Sequence, residues 1–155
     1  MKIKTNYLFA VIIISLFWAG MIAAISFLEA PVKFTAPSLT LQVGLDVGRH
    51  VFGAFNKVEI VLATLLVVSV FLGRMPAGLK IWTSLVAVLL VLECFWLLPV
   101  LDERALAIIA GEDPGGSSPH TWYIIFDIIK LVGLILIGYL GIAEMRRRGA
   151  SMQQD

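Results

Sequence analysis

Four long apolar stretches constrain this chain more than anything else in it. Residues 7–28, 51–72, 81–101 and 120–143 are each long enough to cross a ~30 Å hydrocarbon core as a helix, which takes about 20 residues. None shows the ~10-residue polar–apolar alternation of a membrane barrel strand. Of the 155 residues 59% are hydrophobic and only 15% charged, and the mean hydropathy is +0.94. A soluble domain of this size has no core that could hide so much apolar surface. The expectation is an all-α, four-helix transmembrane bundle, one domain over residues 1–155, with the lipid bilayer as its surroundings. The opening "MKIKTNYLFAVIIISLFWAGMIAA" has some look of a signal peptide. Its apolar region is longer than the usual 7–15 residues and lacks a clear small-residue cleavage site, so it is read as the first helix. The single cysteine, Cys94, lies in the third span and rules out an intrachain disulfide.

Charge is sorted along the chain. Lys2, Lys4, Arg74, Lys80, Arg146, Arg147 and Arg148 fall on one side of the spans, and Lys33, Arg49 and Arg104 on the other. The bias predicts both termini in the cytoplasm, in a bacterial inner membrane. Glu29, Asp46, Asp102, Glu103, Glu112 and Asp113 fall on the outer side. The basic tail is then a topology signal, and nucleic-acid binding has no support.

In the first outer loop Leu41, Leu45, Gly48, Phe52 and Phe55 recur at helical spacing. Helix two is therefore expected to start near Leu39 and extend outward, with Gly44 and Gly48 lying close against a neighbour. Asp102 is expected to cap a short interfacial helix ending at Gly111, before Pro119 opens helix four. Pro31 to His50 and Pro99 to His120 are similar separations, and each histidine precedes an intramembrane charge, Lys57 or Asp127, by seven residues. Two like hairpins related by an axis along the membrane normal would give such a pattern.

The intramembrane charges carry the functional question. Asp127 and Lys130 interrupt the fourth span, and each costs ~2.5–3.5 kcal/mol at the middle of a spanning helix. Thirteen Leu, Ile, Val and Phe residues over 124–142 return about 0.3–0.6 kcal/mol apiece. The two sums nearly cancel, so the helix inserts with little margin. Three positions apart, the pair can meet on one face. Helix two brings Lys57 and Glu59 to a comparable depth below His50. Helix three has climbed about 20 Å from Lys80 at Glu93, at ~1.5 Å per residue. Five charges are thus expected in the outer third of the bilayer. His120, Tyr123, Asp127 and Lys130 form a stripe on helix four. Ser15, Trp18, Ile22, Ser26, Glu29 and Lys33 share a face of helix one.

A polar pocket between the helices is the expectation, open to the outside and closed beneath by apolar residues. Its candidates are Glu29, His50, Lys57, Glu59, Glu93, His120, Tyr123, Asp127 and Lys130. Such a cluster can fix helix packing, or it can bind or pass an ion, a proton or a polar solute. A metal or haem site would rest on His50 and His120, the only histidines, with Glu29 and Glu93 available to zinc. Copper(I) is disfavoured, because Met1, Met21, Met75, Met145 and Met152 fall away from the outer side. No metal or cofactor is expected. No phosphate-cradling glycine loop, G-x-S-x-G or H-E-x-x-H is present, so an enzyme is not expected either.

"APVKF" at 30–34, "GRHVFGAF" at 48–55, "LPVLDERALAIIAG" at 98–111 and "HTWYIIFDIIKL" at 120–131 resemble a family of small four-helix membrane proteins. That family is known chiefly as a domain of unknown function, alongside a human transmembrane protein and, more loosely, copper-resistance membrane proteins. The resemblance covers most of the chain and implies a four-helix membrane domain without catalytic residues. Two function classes stay open: an ion, proton or solute site, and a structural subunit whose charges pair internally, with another copy or with a membrane partner.

Overall fold

The computed structural model describes residues 2–116 and 118–151. Met1 and Met152, two of the methionines weighed above, lie outside them. Helix α1 runs over Lys2–Ile22, continues through a wider turn at Ala23–Glu29 and ends as Ala30–Lys33. Helices α2, α3 and α4 are Leu41–Leu72, Ala77–Ile109 and Ser118–Ser151. Each of the four is long and apolar enough to cross a membrane, and no strand occurs among the described residues. The helices form a ring in which α1, α2, α3 and α4 pack in order and α4 closes against α1.

Local chemistry sets the turns. Thr40, extended at φ −74° and ψ 156°, caps α2 by accepting a hydrogen bond from the Val43 amide at 3.3 Å. The α2–α3 hairpin closes at Gly73, where a Cβ would lie 2.5 Å from the Ser69 carbonyl oxygen and 2.9 Å from Tyr7 Cβ. Tyr7, Gly73 and Met75 therefore meet at the end of the bundle that carries the termini. Helix α4 approaches its neighbours through glycines. A Cβ on Gly138 would stand 2.6 Å from Leu16 of α1, and one on Gly133 would stand 2.9 Å from Val86 of α3.

Two helices carry a proline inside them and widen just before it. Proline has no N–H, and its ring presses on the carbonyl four residues back. The chain relieves both problems with a π-type turn, whose hydrogen bonds span five residues. Ahead of Pro31 the Ala30 N–H donates to the Ile25 carbonyl, and ahead of Pro99 the Leu98 N–H donates to the Glu93 carbonyl. The helix survives each time. This is why the stretch expected as a separate interfacial helix is instead the far end of α3, Leu98–Ile109. Asp102 does not cap it, because its carboxylate is held by Arg49 of α2, with Nε–Oδ1 at 2.6 Å and Nη2–Oδ2 at 3.2 Å.

The paired prolines belong to an internal repeat. One fixed separation along the chain takes Pro31 to Pro99, Ser15 to Thr83, Phe55 to Tyr123, Glu59 to Asp127 and Gly73 to Gly141. Ser15, Thr83, Phe55, Tyr123, Glu59 and Asp127 are all buried. The ring arrangement agrees, since exchanging the two hairpins maps each helix–helix contact onto another. The histidine-based register expected from the sequence, which matched Lys57 with Asp127, is therefore displaced by two residues. Its proper partner is Glu59. In the second half, Glu93 and Lys130 stand where the first half has Ile25 and Leu62.

Candidate functional site

Lys130 lies at the centre of the bundle, fully buried. Its ammonium donates to Glu59 Oε1 of α2 at 2.9 Å and to Glu93 Oε2 of α3. On its own helix Asp127 Oδ1 is 2.9 Å away, three residues back. That contact is an ion pair made off the hydrogen-bonding direction, and neither Asp127 oxygen has a hydrogen bond among the described residues. Glu93 Oε1 has none either. The fourth helix joins through Trp18, whose indole N–H donates to Glu59 Oε1 at 3.0 Å. Every helix of the ring thus supplies a group to one cluster.

Helical periodicity explains who meets. Tyr123, Asp127 and Lys130 lie on one stripe of α4, as do Phe55, Glu59 and Leu62 on α2. Glu59, Glu93, Asp127 and Lys130 come together as the depth argument expected, but Lys57 does not. It is exposed on the opposite side of α2, because residues two apart on a helix point in different directions. Tyr123 is buried beside the cluster and packs edge-on against Phe52 at 5.5 Å between ring centroids. Glu29 is half-buried and pairs with Lys33 at 3.4 Å, away from the cluster. His50 is exposed, its Nδ1 2.8 Å from the Asp46 carbonyl oxygen. His120 is also exposed, at the rim of a cavity between the helices.

Toward the end opposite the termini the helices part around a cavity of about 780 Å³. The two widened, proline-bearing turns flank it, with Ser26, Ala30 and Pro31 on one side and Cys94, Leu98 and Pro99 on the other. These three pairs stand at the same separation along the chain as the repeat partners above. Asp127 is the one charge of the cluster that also lines it. In the other direction the cluster rests on Leu8, Val11, Leu66, Val70, Leu79, Leu134 and Ile137, all buried.

The three carboxylates place oxygen atoms within 4.8 Å of one another, a spacing that would suit a divalent cation. Here the Lys130 ammonium takes that central position. Trp18 lies on the face of helix one that its spacing with Ser15 and Ile22 implies, but its bond to Glu59 was not expected. The Arg49–Asp102 fork and the Asn56–Cys94 contact, 3.2 Å from Nδ2 to Sγ, had no signal, since both join helices distant in sequence. No family model, curated protein or solved structure matches the chain.

Proposed function

We propose that the vestibule faces the outside of a bacterial inner membrane, with both termini cytoplasmic, and that it admits a small ion, proton or polar solute to a proton-exchanging carboxylate cluster. Charge balance carries this reading. Glu59, Glu93 and Asp127 face a single base, Lys130, and all four are buried. Fully ionised, they would leave two uncompensated negative charges in a low-dielectric interior, where an unpaired charge is strongly disfavoured. Protons, or a cation arriving through the vestibule, supply the balance. Asp127 borders both the cluster and the vestibule, so exchange runs through it. The protein is read as a binding or transport component and not as an enzyme.

A second reading has its own observation. Lys130 touches acids from three helices and Trp18 ties in the fourth, as a packing clamp would. Infrared spectroscopy of the purified protein separates the two. Exchange predicts a protonated-carboxyl C=O band that shifts in heavy water and changes in Asp127→Asn. If that band is missing, or indifferent to Asp127→Asn, the clamp alone remains.

A further inference from the structure

Beyond the charge balance, the vestibule has a composition that neither a bare ion nor a wholly polar solute would match. Its volume falls in the ~300–1,000 Å³ range of small-molecule sites, and Phe27, Phe34, Leu45, Phe52, Leu98 and Ile124 make much of its wall. An apolar body is needed to fill it. The charge that body should carry is decided by what is left unpaired. The lysine and the arginine in the wall are already engaged, Lys33 with Glu29 and Arg49 with Asp102, and the third basic side chain, His120, is exposed at the rim, far from the floor. At the floor the imbalance is negative, and both oxygens of buried Asp127 lack a hydrogen bond among the described residues.

The aromatic wall is already engaged by the chain's own Lys33, so it offers an arriving ligand apolar contact and leaves the positive centre to the acidic floor. The Lys33 ammonium sits 5.5 Å from the centroid of Phe34 and 5.6 Å from that of Phe52, inside the ~6 Å range at which an aromatic face attracts positive charge. From the volume, the aromatic wall and the acidic floor, we infer that the vestibule binds lipophilic organic monocations: an ammonium or phosphonium centre directed at Asp127, with its apolar substituents against Phe34 and Phe52. This rests on the proton-exchange reading, because the arriving cation takes over the charge-balancing role of a proton.

Tetraphenylphosphonium is a suitable probe, with neutral triphenylphosphine oxide as its uncharged counterpart. Equilibrium dialysis against the purified full-length chain should show saturable binding of the phosphonium, one per chain, and much weaker binding of the oxide. Asp127→Asn should weaken phosphonium binding about tenfold or more, the effect of losing one buried counter-charge. Phe52→Leu removes a ring and with it part of the apolar wall, and should weaken it about threefold. Cys94, the only cysteine, lines the vestibule, so bound phosphonium should also slow its modification by a methanethiosulfonate in the unmutated protein. Should Asp127→Asn fail to fold, Phe52→Leu and Cys94 protection decide the matter. Absence of saturable binding, equal binding of the neutral oxide, or binding indifferent to these changes would overturn the inference. An Asp127-dependent infrared band persisting alongside that result would reject the ligand class and leave proton exchange standing.

Discussion

Lys57 and Lys130 carry the same side chain and differ in everything around it. Lys130 is enclosed by three carboxylates, whereas Lys57 is exposed on the outer face of α2. Removing Lys130 strands three acids in the interior, and breaking a buried ion pair from one side costs ~3–5 kcal/mol. Lys130→Met should therefore destabilise the protein by about that amount. Lys57→Leu should stay within about 0.5 kcal/mol of the parent or gain stability. Chemical unfolding in detergent measures both, and equal losses would contradict the assignment. The distinction also marks what the sequence could tell. Depth was legible, because residues climb a helix at a fixed rate, and it correctly gathered Glu59, Glu93, Asp127 and Lys130. Direction around the helix was equally available from the two-residue step between Lys57 and Glu59. Counting charges by level alone passed over it.

At the scale of helices, prolines and glycines shape the site from opposite ends. Pro31 and Pro99 widen α1 and α3 beside the vestibule, while Gly133, Gly138 and Gly141 draw α4 against its neighbours below. Gly138 is buried, and a Cβ there would meet Leu16 Cδ2 at 2.6 Å; at Gly20 a Cβ would meet nothing within 4 Å. Gly138→Ala should cost about 1–3 kcal/mol through overpacking, while Gly20→Ala should be neutral or slightly stabilising. Thermal unfolding of the two variants checks this, and a neutral Gly138→Ala would mean that α1 and α4 are less closely packed than described. The four spans were legible because length and hydropathy suffice for them. The continuity of α3 past Pro99 was not, since a proline followed by Asp102 reads locally as a break and a cap. What overrides that reading is a π-type turn within α3 and an arginine from α2.

Across the whole molecule, the repeat gives the cluster its logic. Glu59 and Asp127 are repeat partners, one acid from each hairpin. Glu93 and Lys130 replace Ile25 and Leu62 in the second half only, adding one negative and one positive charge together. The sequence suggested a repeat only through the spacing of the histidines, at a register two residues from the one that the buried positions give. Buried positions fix the register better because they are the ones packing constrains. In this account the four charges are one network spanning the ring, and the Asp127→Leu/Lys130→Leu double variant tests that most directly. A network predicts lost stability, by about 3 kcal/mol or more, because Glu59 and Glu93 remain buried without a base. A local pair confined to α4 predicts a protein as stable as the parent or more so, since two charges would be exchanged for apolar packing. Unfolding of the double variant beside the parent decides between them, and an undiminished midpoint would contradict the network.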